Sequence, residues 1–341
     1  MDALAFANQQ WSQVFNVHHM LSKMRLNHKV QCTLGSITPE QLFQAVSDRK
    51  KTASAGMDGW RTPEFQPLPL EAFVPWALLW NKIEKSSWEA PSCFELARLV
   101  IIPKPSAKTA QPIHQRLIAL LCIPYLAYSK ARFSASIPWQ LRVFPSNVCG
   151  GVAGRKASDI SHALAMANES SLVKKQPLVG IKLDRSKCFD RIVVPITVAL
   201  GEKLGLDSKY LKTWAKLYNG FERYICWHSF ISDSPLMASN GVAQGDTSSV
   251  LAINILMSAW AFVVQSFSCM LPCTLMIPTS TLKPKMLKSL LKPSQPLRHL
   301  TPWQDKSLIS ARAVFGQRLV VPKRNSKDSS PMFKWKTLLK S

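Results

Sequence analysis

The sequence predicts a mixed α/β chain, and three observations lead there. Two apolar runs of strand length, Leu96–Pro105 and Leu178–Leu183, carry β-branched residues and stop at a Pro-Lys-Pro turn and at Asp184. Longer stretches place apolar residues at helical spacing. A length of 341 residues with 47% apolar content leaves room for two or three subdomains around a sizeable core.

Trp11, Val14, Phe15 and Leu21 recur at helical spacing, so residues 1–50 are expected to be mostly helical. Within them Thr38 is the expected cap of a helix with Pro39 at its first position and Leu42, Phe43 and Val46 on one face. Ser54–Trp60, SAGMDGW, predicts a tight turn. Glu71–Lys85 predicts a helix with Phe73, Leu78, Leu79 and Ile83 in the core. The strand Leu96–Pro105 follows. Gly150, Gly151 and Gly154 lead into a helix capped by Ser158, with Ile160, Ala163, Leu164 and Ala167 as its apolar stripe. After the second strand, Pro195 opens a helix that Gly205 closes. Asp207 starts another, with Tyr210, Leu211, Trp214 and Leu217 inward. Glu222–Phe230 reads as a strand, and Ser248 and Ser249 are expected to cap a buried helix that begins at Val250.

The net charge of +23 predicts attraction to a polyanion, for which nucleic acid is the commonest candidate, although basicity also serves solubility. Eight cysteines form no CxxC pair, which argues against a zinc ribbon or redox site. The opening MDALAFANQQWSQ lacks the basic start and apolar core of a signal peptide, so reduced thiols in an intracellular compartment, nucleus or cytoplasm, are expected. Polar residues and Pro272 interrupt the apolar run Ala259–Ile277, and no membrane span is expected.

The chemistry concentrates in Pro177–Ile192, PLVGIKLDRSKCFDRI. A carboxylate at the end of a buried strand is costly unless something pairs with it, and a divalent cation is a useful partner. The bland alternative is an Asp that caps the next helix, with Phe189 in the core. LDRSKCFDRI resembles motif A of reverse transcriptases, in particular those of non-LTR, LINE-like retroelements. The resemblance implies that Asp184 binds catalytic metal and that Phe189 is the aromatic gate that rejects ribonucleotides. Further segments follow in the family's order. SAGMDGW resembles the A-P-G-x-D-G element. Leu96–Pro105 with Gln115–Phe133 resembles the fingers signature, which implies phosphate-binding roles for Lys104 and Arg116, with Leu117 in place of the usual Pro. Gly150–Glu169 resembles an element near the template, which makes Arg155 a candidate template contact. Asn240–Trp260, NGVAQGDTSSVLAINILMSAW, resembles motif B, which implies that Gln244 and Gly245 line the nucleotide pocket. Lys and Arg suit such sites, because guanidinium binds phosphate as a planar fork and ammonium as a point charge.

The implied architecture is the fingers and palm of a right-hand polymerase. Its expected parts are a helical extension (1–50), fingers (51–176), palm with motifs A and B (177–262) and a basic, irregular tail (263–341). The implied activity is RNA-directed DNA polymerisation with Mg²⁺, an RNA template, a DNA primer and a dNTP. The family's motif C, an aromatic-x-Asp-Asp hairpin, has no counterpart, since the sequence contains no Asp-Asp pair. From Ala261 to Ser341 fourteen Lys or Arg face two acids, Asp305 and Asp328, in Pro-, Ser- and Lys-rich sequence. A frame departing from the ancestral one after Trp260, or a genuine new module, accounts for that change. The expectation is a reverse-transcriptase-like chain with polymerase activity impaired or lost. A non-catalytic nucleic-acid binder and a decayed relic are the alternatives.

Overall fold

A computed structural model describes residues 29–86, 88–103, 115–175, 178–185, 187–227, 230–236, 238–265, 274–278 and 309–312. The chain is mixed α/β, as expected. Helix α1, Pro39–Ser47, starts on a capping box in which Thr38 and Gln41 satisfy each other's backbone N–H, with Pro39 at the first turn. Helix α2, Val74–Glu84, buries Ala77, Trp80 and Ile83 but leaves Leu78 58% exposed, against the expectation of a core position. Strands β1, Leu96–Ile102, and β2, Arg116–Leu120, pair antiparallel. Helix α3, Ile123–Val143, is the axle of the core and buries Tyr125, Tyr128, Arg132 and Trp139. Helix α4, Ala157–Val173, is capped two residues earlier than expected, at Lys156, whose N–H donates to Asp159 Oδ2 at 2.8 Å, so Ser158 is not its cap.

Strand β3, Leu178–Arg185, is followed by a 3₁₀ turn, Phe189–Arg191. Helix α5, Val194–Leu204, ends at Gly205 with φ +94°, and α6, Ser208–Gly220, is capped by Asp207. Only glycine suits position 205, because a Cβ there would stand 2.4 Å from the Val30 carbonyl oxygen. That close approach docks the strap 30–34, whose Val30 and Cys32 N–H groups donate to the Leu204 and Gly205 carbonyls at 3.1 and 2.7 Å. The expected single strand at 222–230 is a hairpin of β4, Glu222–Trp227, and β5, Phe230–Ile231. Helix α7, Thr247–Gln265, packs on α3 and α5.

One sheet has the order β2-β1-β4-β5, with β1 and β4 parallel. Strand β3 stands apart in a second sheet, between β6, Thr274–Pro278, and β7, Ile309–Arg312, both antiparallel to it. These two strands come from the tail that sequence composition assigned to irregular structure. Composition misses them because a strand of four or five residues gains its backbone pairing from a distant neighbour. Among the described residues no helix is long and apolar enough to cross a membrane.

Candidate functional site

Three segments far apart in sequence converge where the Phe189 turn meets the loop before α7. Gly241 N–H donates to the Ile192 carbonyl at 2.7 Å and Val242 N–H to the Phe189 carbonyl at 2.8 Å. Gly241 has φ +93°, and a Cβ there would lie 2.8 Å from the Asp190 carbonyl oxygen. The third segment is β2, whose Ala119 N–H donates to the Gln244 carbonyl at 2.8 Å. Gly245, at φ +130°, would put a Cβ 2.6 Å from the Ala119 carbonyl oxygen. The resemblance implies a place for Gly245 in the lining of a nucleotide pocket. The approach in the structure is to β2 itself, so glycine is required by the fold.

Arg223 on β4 fastens the loop from the other side, donating to the Asn240 and Gly241 carbonyls at 2.9 Å each. Burial pulls the Arg223 guanidinium down from its ordinary range, opposed by the charge of Asp190 nearby. A cleft of about 290 Å³ lies between this loop and the sheet, lined by Leu99, Leu117, Ala119, Asp190, Arg223 and Gln244 among others. Gln244 turns its amide to Asp190 Oδ1 at 3.4 Å.

Asp246 anchors the base of the loop. It is 2% exposed and accepts from Tyr125 OH at 2.9 Å, from Ser129 OH, from Tyr218 OH and from Ser248 N–H at 3.1 Å. The last contact makes Asp246 the cap of α7. Ser248 and Ser249, expected as caps, instead lie inside the helix and meet the hydroxyls of Ser129, Tyr210 and Tyr218. Burial lifts the Asp246 carboxyl above its ordinary range, with its donors pulling the other way. The same burial pushes the Tyr125 and Tyr218 phenols up, so both stay protonated donors.

The remaining sequence-predicted residues divide. Phe189 opens the 3₁₀ turn, half-buried against the core. Arg116 is the exposed first residue of β2, opposite Ile102. Asp184 occupies β3 opposite Ser310, and its side chain is outside the described part of the chain. Lys104, Asp305 and Asp328 lie outside the described residues. Arg155 has structural partners. Its guanidinium donates to the carbonyls of Pro145, Val148, Phe144 and Leu141 beyond and within the last turn of α3. Leu141 and Phe144 belong to the end of α3 and Pro145 and Val148 to the loop after it, so the guanidinium ties that loop to the helix end. Sequence reasoning matched Asp246 to a motif without seeing its role, although an acid just before Thr247-Ser248 is a helix-start signal. Arg223 gave no signal, because its purpose exists only once the loop folds over β4.

No protein-family model matches the chain. Among the described residues no three His, Cys, Asp or Glu side chains are grouped to hold a metal ion. Of the acids near the loop, Asp246 is held by its hydroxyls, whereas Asp190 meets Gln244 through Oδ1 alone and its buried Oδ2 has no partner among the described residues. Asp246 is thereby closed to a metal ion, and Asp190 keeps one oxygen that could hold one; a two-metal centre needs carboxylates free to bridge both ions.

Proposed function

We propose that this chain is a reverse-transcriptase-like scaffold of fingers and palm that binds nucleic acid and, by itself, lacks the carboxylates for nucleotide transfer. One observation supports the reading most. The fingers-like β2, through Ala119, the Phe189–Ile192 turn and the Gly241–Asp246 loop, which carry the resemblance, are hydrogen-bonded into one wall. Chance matches to three motifs would have no reason to meet. The net charge of +23 supplies the attraction to phosphate.

On this reading Asp184 would hold Mg²⁺, Phe189 would select deoxyribose, and Lys104 and Arg116 would bind phosphates. Gln244 would contact the nucleotide, and an RNA template with a DNA primer would be the partners. Bound Mg²⁺ would neutralise charge developing on the transferred phosphoryl group. With no Asp-Asp pair in the sequence and Asp246 held by its hydroxyls, no transfer step is assigned to this chain.

The test pairs two measurements. Templated dNTP incorporation with Mg²⁺ is expected to stay at background and to be indistinguishable from that of Asp184→Ala. Incorporation that the substitution abolishes would overturn the assigned inactivity. Affinity for RNA or DNA is expected to fall linearly in log–log form as salt rises, with little sequence preference. An affinity unchanged between low and high salt would overturn the nucleic-acid reading.

A further inference from the structure

The turn after β3 contains a residue to which the resemblance gives no role. Lys187 has φ +53°, in the left-handed region. A non-glycine residue is strained there and persists only where its surroundings over-determine it. The determinant is one long-range bond. Lys187 Nζ donates to the Gln115 carbonyl oxygen at 2.8 Å, across 72 residues of sequence. Gln115 is buried, 8% exposed, and its carbonyl belongs to the peptide that joins it to Arg116. Arg116 is exposed and is the first residue of β2. The bond therefore fixes the root from which the Arg116 guanidinium projects, and ties it to the turn three residues beyond Asp184.

We propose that Lys187 is a positioning residue for polyphosphate binding by Arg116. Its ammonium clamps the first peptide of β2 to the turn after β3, so that the guanidinium fork is presented in one orientation. A planar fork binds phosphate oxygens through two parallel N–H groups, and that geometry is lost if its root swings. The strained backbone at Lys187 brings the ammonium within reach of Gln115. The ligand class is a polyphosphate, whether the triphosphate of a nucleotide or the free anion. The inference rests on the nucleotide-handling reading given above.

Isothermal titration of the full chain with inorganic tripolyphosphate and, separately, with dGTP, both without divalent metal, tests it. The native chain is expected to bind both, and Lys187→Met to weaken both by about tenfold, in the range of measured pairwise couplings. Lys187→Arg, which keeps a donor at the same reach, is expected to recover most of that loss. In an Arg116→Ala background Lys187→Met should cause no further loss. Lys187→Gly relieves the backbone and should match or exceed the native melting temperature while binding as weakly as Lys187→Met. Equal losses in the two backgrounds would show that Lys187 acts without Arg116 and overturn the proposal alone, as would unchanged binding by Lys187→Met. Binding of dGTP without binding of tripolyphosphate would overturn the phosphate assignment. Failure of the native chain to bind either probe would overturn the nucleotide-handling reading and this inference with it.

Discussion

Asp246 is a carboxylate shut away from water and held by three hydroxyls and one backbone N–H. Replacing it with alanine strands those donors in the core and removes the cap of α7. A loss of about 3 kcal/mol or more is expected in urea unfolding. Its pH dependence has a definite sign. Burial raises the folded-state pKa above the unfolded value of about 4, so the folded chain holds this proton more tightly. That contribution is fully present below about pH 4 and is lost as pH rises through the raised folded value. Asp246→Asn removes the titration, so the stability difference between native chain and variant should change across that window. Parallel stability curves for the two from about pH 4 to neutrality would refute the assignment.

At the scale of elements, most boundaries were legible because they rest on local chemistry. Thr38 and Gln41 cap α1, Pro195 and Gly205 bound α5, and Asp207 caps α6, each within a few residues of the helix it defines. Contacts made across the fold were not legible. Arg155 reads as a candidate template contact in sequence, and its bonds to the end of α3 and the loop after it had no sequence signal. Arg155→Ala is expected to cost about 1–3 kcal/mol through the loss of its bonds to the carbonyls at the end of α3 and in the loop beyond, while the salt slope of nucleic-acid binding stays unchanged. A slope reduced by about one with stability intact would return Arg155 to the phosphate contacts. Helix α4, which follows it, buries no residue fully, so the stripe Ile160, Leu164 and Ala167 is only half-covered and Ala163 is exposed.

For the molecule as a whole, charge and β-pairing are linked through the tail. Fourteen Lys or Arg lie beyond Trp260, and the same stretch supplies β6 and β7 to the sheet that holds the Asp184 strand. A chain ending at Gln265 is therefore expected to lose β signal in circular dichroism and to show a shallower salt slope in nucleic-acid binding. If the slope is unchanged, the tail's charge does not meet phosphate. The candidate site was half legible on this scale. Motif residues named the Phe189 turn and the Gln244–Gly245 loop. The partners that hold them, Arg223, Ala119 and the hydroxyls around Asp246, had no sequence signal.

The amino-acid order alone determined a basic α/β chain, its helix caps, its strand-forming runs and the absence of a paired-aspartate motif. All of these depend on residue type and on neighbours a few positions away. The tertiary structure decided which distant partners several singled-out residues meet. Gly245 answers to a carbonyl of β2, Arg155 to the end of a helix, and Lys187 to a peptide 72 residues earlier. A hydrogen bond or a steric limit between distant segments has no local signature, because it exists only when folding brings both sides together.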